Sequence, residues 1–332
     1  MVRAISRLLL LVLTVCMVGC GNRQKPSGEM TALMPAAEEE EPPQPVIGLA
    51  LGGGGAKAAA EIGVLKWLDD TGINISSIAG TSMGAVVGGL YAAGYSVAEI
   101  EDLWLTSDWL RLFDESAVLK VGERTFFGLV RAEAFEDSLR STLLKKGCRR
   151  MEDTPIPFRC TATQIIEDRY LDTVVLKSGD MARAIRASMT YPAPLVGYRP
   201  FVYNGKRLAD GGLLNNLPVN VVRDMNVEKV IAVDLESKQH NSGSPSLLGD
   251  IIDVVSNRLH LDVIRMDWLL RWLAEHPDAD MRNRNRRDAD AYIHPDLSGF
   301  SIRDFAPAQA SDMISIGRDE ARKYENKILS WY

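Results

Sequence analysis

Histidine is scarce in this chain: 332 residues hold four, His240, His260, His276 and His294. None stands in a context that recommends it as a catalytic base. His240 lies in a polar Ser/Asn/Gly loop, His260 and His276 lie in or at the end of a helix candidate, and His294 follows a strand candidate and precedes Pro295. His294 comes last in chain order, as the histidine of an α/β-hydrolase triad does, yet all four read more simply as surface or structural residues. A spanning apolar run is missing at the N-terminus, where Leu8 to Val15 is too short to cross a bilayer as a helix. A basic excess is missing as well. The net charge of -6 leaves no domain-wide positive surface to replace counterions, which argues against nucleic acid as a partner. Of four cysteines, Cys16 and Cys20 belong to the N-terminal segment. Cys148 and Cys160 remain, and Cys160 sits in a buried-strand pattern, so free thiols are expected. No internal repeat is present.

What the chain does have is glycine at two strand-to-helix turns. The first is Gly80-Thr81-Ser82-Met83-Gly84, a G-x-S-x-G pentapeptide between the strand-like Ile75, Ile78, Ala79 and the helix-like Ala85 to Leu90. A turn this sharp pushes a serine hydroxyl out of the backbone, and the flanking glycines spare the clash a Cβ would make. By itself the pentapeptide leaves an exposed nucleophile and an ordinary turn both open.

The second turn, Gly52-Gly53-Gly54-Gly55-Ala56-Lys57, follows the strand candidate Val46 to Leu51 and opens a helix candidate through Leu68. A phosphate-binding P-loop would need glycine before the lysine and Ser or Thr after it, but Ala56 and Ala58 stand there. Gly53 to Ala58 fits the local dinucleotide pattern G-x-G-x-x-A. The next strand, however, runs into Gly80-Thr81-Ser82 where an acidic residue should hold a ribose. A turn of this kind exposes backbone N–H groups, which suits an oxyanion hole beside Ser82; glycine used only for close helix packing is the plainer alternative. With histidine set aside, Asp210 is the better base. It stands in Leu208-Ala209-Asp210-Gly211-Gly212, after a hairpin pattern with an Asn204-Gly205 turn.

Gly53-Gly54-Gly55-Ala56-Lys57, Gly80-Thr81-Ser82-Met83-Gly84 and Asp210-Gly211-Gly212, in that order, resemble the three signature blocks of the patatin-like phospholipase family. Ile62 to Leu65, Ile185 to Met189, Asn215 to Pro218 and Val230 to Asp234 match in support, so the resemblance covers about residues 46 to 236. It implies an α/β chain with a three-layer α/β/α fold and a mainly parallel central sheet. It also implies a Ser–Asp dyad in place of a triad, with Ser82 the nucleophile, Asp210 the base and the Gly53, Gly54 and Gly55 backbone the oxyanion hole. Lys57, Gly80, Gly84, Gly211 and Gly212 are the supporting motif positions, and no metal or cofactor is called for. The chain departs from the family at Ala58, where glycine is usual, and at Glu61, where many members carry histidine. Two other functions stay open: hydrolysis of small esters or thioesters with the same dyad, and a catalytically silent lipid-binding lipoprotein.

The N-terminus speaks to location. Arg3 and Arg7 precede the short apolar segment, which reads as a secretory signal over residues 1–19. Met17-Val18-Gly19-Cys20 resembles a bacterial lipobox, so Cys20 is expected to carry lipid and to anchor the chain in a membrane of the bacterial cell envelope. In a Gram-negative cell, Gly21 after Cys20 resembles the pattern that sorts to the outer membrane, facing the periplasm. Residues 20–45, with Glu38 to Glu41 and Pro42, Pro43 and Pro45, read as a disordered tether to a hydrolase domain over 46–332. Within that domain, about 101–144 is helix-rich and aromatic (Trp104, Trp109, Phe113, Phe126, Phe127), an inserted cap or ordinary core. A C-terminal helical extension is expected over about 250–332. Its start carries two apolar stripes, one through Ile252, Val255 and Leu259 and another through Leu261, Ile264 and Trp268, then a basic run at Arg282, Arg284, Arg286 and Arg287. The second stripe reads as facing an acyl pocket, a lid or a lipid surface whose anionic headgroups the basic run could meet, or, with a solvated charge run, as a helix buried on two sides.

Overall fold

A computed structural model describes residues 44–106, 119–121, 124–126, 129–166, 170–190, 201–236 and 279–332, with backbone alone for 119–132 and 279–280 within those ranges. The signal and lipobox reading, most of the tether, the apolar stripes of 250–275, and His240, His260 and His276 lie outside the described residues.

The central sheet starts with β1 (Ile47–Leu51) and β2 (Ser77–Gly80), paired in parallel, and β9 (Lys229–Val233) and β10 (Ala291–Ile293) extend it in parallel on the far side of β1. On the near side β2 pairs in parallel with β5 (Phe158–Ile166). From there pairing turns antiparallel: β5 with β6 (Tyr170–Leu176) and with β8 (Lys206–Asp210), and β8 with β7 (Phe201–Tyr203) across the Asn204-Gly205 turn. The eight strands run β10-β9-β1-β2-β5-β8-β7, with β6 on β5.

Period-two alternation explains how the sheet is covered. Ile47, Leu49 and Leu51 of β1 point into one cluster, while Ala50, with Ala79 of β2 and Ala232 of β9, points into the other. On the bulky side lie α1 (Ala59–Thr71), α2 (Met83–Ala92), α3 (Val97–Thr106), α4 (Leu129–Lys145), α5 (Met181–Ser188) and α8 (Pro307–Arg322). On the side of small residues lie the short α6 (Val219–Arg223) and, against it, α7 (Ala279–Asp288). Three layers result, with a mixed α/β sheet whose core is parallel. Helices α1 and α8 cross so closely that a Cβ on Gly63 would overlap the Ile314 carbonyl, and one on Gly317 the Ala60 carbonyl.

Several expectations are narrowed, and that of free thiols agrees with the structure. The stretch 101–144 holds, besides helix, a two-stranded antiparallel sheet of β3 (Leu119–Val121) and β4 (Arg124–Phe126). Trp104 is a core residue, buried and packed 6.4 Å, centroid to centroid, from Phe305. Phe135 is likewise a buried core residue, and the side chains of Trp109, Phe113, Phe126 and Phe127 lie outside the described residues. The basic run faces inward for half its length: Arg282 pairs with Glu236, and Arg286 donates to Asp234 at 2.9 and 2.7 Å, while Arg284 and Arg287 are exposed. Cys148 and Cys160 are buried free thiols, and burial pushes both upward in pKa.

Candidate active site

Strand register brings the site together. Gly80, the last residue of β2, pairs with Cys160 of β5, and Asp210, the last residue of β8, pairs with Ala162 two residues further along. Both strands lie on the edge of β5 opposite β6, and they run toward each other, so their carboxyl ends nearly meet. Ser82, two residues past β2, arrives beside Asp210.

The turn that carries Ser82 is tight. Ser82 takes φ 54° and ψ -125°, a sparsely populated conformation for a residue with a side chain, at a cost on the order of 1–3 kcal/mol. It then begins α2. A Cβ at Gly84 would lie 2.5 Å from the Gly52 carbonyl and 2.7 Å from that of Leu51, so only glycine lets the helix start against β1. The Thr81 hydroxyl locks the turn from below, 2.7 Å from the Thr161 hydroxyl and donating to the Asn215 carbonyl at 2.9 Å.

The hydroxyl of Ser82 donates to Oδ2 of Asp210 at 2.9 Å, and the Gly212 N–H donates to the other oxygen, Oδ1, at 2.8 Å. Asp210 is 2 % exposed. Burial raises its pKa from 3.8 to about 6, against the opposing pull of the Gly212 N–H and the Ser82 hydroxyl. A partly exposed hydroxyl bonded to a carboxylate of raised proton affinity is the arrangement that general-base activation of a nucleophile requires. The imidazole of His294 is instead 2.5 Å from the Glu236 carbonyl.

The glycine loop passes directly beside Ser82: a Cβ at Gly53 would lie 3.1 Å from the serine Cβ. Of the three amides expected to face a carbonyl oxygen, one is already committed. Gly53 donates to the Asn216 carbonyl at 3.1 Å, and the Asn216 side chain donates back to the Gly53 carbonyl at 3.1 Å. That reciprocal pair fixes the loop and removes Gly53 as a donor. The amides of Gly54 and Gly55 have no hydrogen-bond partner among the described residues. Neither does that of Met83, the first residue of α2, whose N–H is left over by helix geometry. Lys57 is buried in the 3-10 turn Gly55–Ala58, Gly80 is buried at the end of β2, and Gly211 accepts the Asn215 N–H at 2.9 Å.

Met83 and Asn216 were missed as site residues. The rule that the residue after an elbow serine offers its N–H would have found Met83. Asn216 stood in a matched stretch without a role, because its partner lies 163 residues away.

The patatin-like phospholipase family model matches residues 49–223, a span running from β1 through both motif turns and past Asp210. The chain belongs to the patatin-like phospholipase family. It is 34 % identical over 197 residues to an uncharacterized NTE family protein of Mycobacterium bovis, covering 59 % of this chain and 50 % of that one. It is 31 % identical over 239 residues to patatin-like phospholipase domain-containing protein 6 of Mus musculus, covering 70 % of this chain and 16 % of that one. With Lysophospholipase NTE1 of Mycosarcoma maydis the identity is 35 % over 229 residues, covering 68 % and 11 %. The chain thus spans half or less of the length of these relatives.

Proposed function

We propose that this family member is a serine acyl-ester hydrolase acting on lipid esters, of phospholipase A or lysophospholipase type. The observation that carries it is the 2.9 Å hydrogen bond from Ser82, on its strained turn, to the buried Asp210 carboxylate. The family description and the lysophospholipase name of one relative support lipid as the substrate class.

In this reading Asp210 takes the Ser82 proton as Oγ attacks the ester carbonyl, and the resulting oxyanion is met by the free amides of Gly54, Gly55 and Met83. The tetrahedral adduct collapses, the C–O bond to the alcohol breaks, and Asp210 returns the proton to the leaving oxygen. Water then attacks the acyl-enzyme with Asp210 again as base, restoring Ser82 and releasing a fatty acid. Lipidation at Cys20 would hold this domain in the cell envelope, on the periplasmic face of the outer membrane in a Gram-negative cell. Anchor and substrate would then share one phase.

A fluorophosphonate probe tests the chemistry. It should label wild-type protein at Ser82 and fail on Ser82→Ala, and lysophospholipid turnover should vanish in the same variant. Absence of an adduct on folded wild-type protein would return the reading to a silent lipid-binding lipoprotein. Cys20→Ala should release the protein from membranes, and unchanged membrane association would reject the anchor.

A further inference from the structure

Both partners of the proposed dyad are tied to one short stretch of chain that takes no part in the reaction as described. The buried hydroxyl of Ser188, the last residue of α5, accepts the backbone N–H of Ser82 at 2.9 Å. Two residues later, the carbonyl of Thr190 accepts the backbone N–H of Asp210 at 2.6 Å. The serine and the aspartate come from strands 128 residues apart in sequence. They are nevertheless held by main-chain bonds to positions 188 and 190.

That stretch is itself well fixed. The Asp180 side chain caps α5 by accepting the Arg183 N–H at 3.0 Å, and Asp180 pairs with Arg140 of α4. Arg186 pairs with Glu136 of α4 at 2.7 Å. Beyond the helix, Met189 donates to Ile185 and Arg186, and the Thr190 hydroxyl donates to the Arg186 carbonyl at 2.8 Å, so the turn stays tight through residue 190. Ser82 needs such support. Its φ of 54° is a conformation its own side chain disfavours, and a strained residue persists only where its surroundings over-determine it. Relaxation of that turn would swing the hydroxyl away from Asp210.

We propose that Ser188 is a positioning residue for the dyad, and that the Ser188–Thr190 end of α5 sets the spacing between the Ser82 hydroxyl and the Asp210 carboxylate. The inference rests on the hydrolase reading above. Thr190 acts through its backbone, so Ser188 is the member that substitution can remove. Ser188→Ala deletes the acceptor, and Ser188→Cys fills nearly the same space with a much weaker one.

The test is steady-state lysophospholipid hydrolysis across pH 4–9 with the full-length wild type, Ser188→Ala and Ser188→Cys, with the folding of each followed by circular dichroism. Both variants should lose about tenfold or more in kcat, with KM within about twofold, because a mispositioned nucleophile weakens the transition state and spares substrate binding. Fluorophosphonate labelling of Ser82 should slow in the same proportion. The acid limb of the pH profile should move upward, since the Ser82 hydrogen bond is one of the contacts that lower the proton affinity of Asp210. A folded Ser188→Cys protein with wild-type kcat and an unmoved acid limb overturns the proposal, whatever Ser188→Ala does to folding. Wild-type protein that neither labels nor turns over would instead overturn the dyad reading, so the two failures are distinguishable.

Discussion

Two buried aspartates stand at the carboxyl ends of strands of one sheet, Asp210 closing β8 and Asp234 just past β9, and the chain treats them in opposite ways. Asp234 is 1 % exposed and meets Arg286 through two hydrogen bonds, with the Tyr292 hydroxyl donating to the same oxygen at 2.7 Å. Asp210 is as deeply buried, yet its side-chain hydrogen bonds are to a backbone N–H and a serine hydroxyl, with no cation in contact among the described residues. A guanidinium at hydrogen-bond distance would have drawn the proton affinity of Asp210 down and left it a poor base. The difference teaches that the site is marked by a partner withheld. Asp234 ties β9 to α7 as a structural ion pair, whereas Asp210 keeps a raised pKa within reach of neutral pH.

The sharpest way to break this contrast is the same substitution at both positions. Asp210→Asn should lower turnover by about 10²–10⁴-fold, the range a positioned general base supplies. In the wild type, kcat/KM should rise through about pH 6 as Asp210 loses its proton. Stability should move the other way. Because the folded chain holds this proton more tightly than the unfolded one, folding stability is lost as pH climbs from about 4 to about 6. Above that window the buried charge costs on the order of 2–3 kcal/mol, from roughly 1.4 kcal/mol per pKa unit. Asp210→Asn should therefore be more resistant to urea than wild type at pH 8 and little changed at pH 4. A variant equally stable at both pH values, or one with normal turnover, would dissolve the distinction between the two aspartates.

At Asp234 the sign should reverse. Arg286→Met leaves a buried carboxylate with the Tyr292 hydroxyl and the Glu236 N–H but without the guanidinium bonded to it, and should cost about 2 kcal/mol in chemical denaturation. The figure is below that for a fully enclosed pair because the Arg286 side chain is 30 % exposed. Adding Asp234→Asn to Arg286→Met should recover most of the loss. If the double variant is no better than the single one, the loss lies instead in the Arg286–Glu236 pair or in the guanidinium held over the Tyr292 ring.

Which parts of this were legible in the sequence follows from the range of each interaction. The strands β1 and β2 were readable because apolar runs are local patterns: the candidate Val46 to Leu51 became Ile47–Leu51, and the apolar residues before Ser82 became Ser77–Gly80. Ser82 and Asp210 were readable because glycine marks sharp turns on both sides of them. The partners of backbone groups were not. Nothing in Asn216 or Ser188 announces which amide each will hold, since those bonds span 163 and 106 residues. For the same reason Arg282 and Arg286 read only as members of an exposed basic run, lipid-facing or solvated: a charge pattern gives a surface, and the fold decides which members turn inward.

Glu61 completes the comparison as a third buried carboxyl, with neither a cation nor a reacting group. It lies in the first turn of α1 with no exposed surface, and neither carboxyl oxygen has a hydrogen-bond partner among the described residues. The Gly52 N–H beside it is committed to the Val233 carbonyl at 3.0 Å. Burial drives its pKa well above the usual carboxylate range, so the folded chain favours the neutral acid and loses stability as pH rises and the buried group must ionise. Unlike Asp210, it has no contact with Ser82 through which this proton affinity could be used. Glu61→Met conserves volume and removes the unsatisfied oxygens, and should raise stability by about 1–2 kcal/mol at pH 7. The denaturation midpoint should gain more at pH 9 than at pH 5, with kcat unchanged. A loss of stability would mean that the carboxyl supports the base of the glycine loop, and the line between a carboxyl kept for chemistry and one merely tolerated would then have to be drawn elsewhere.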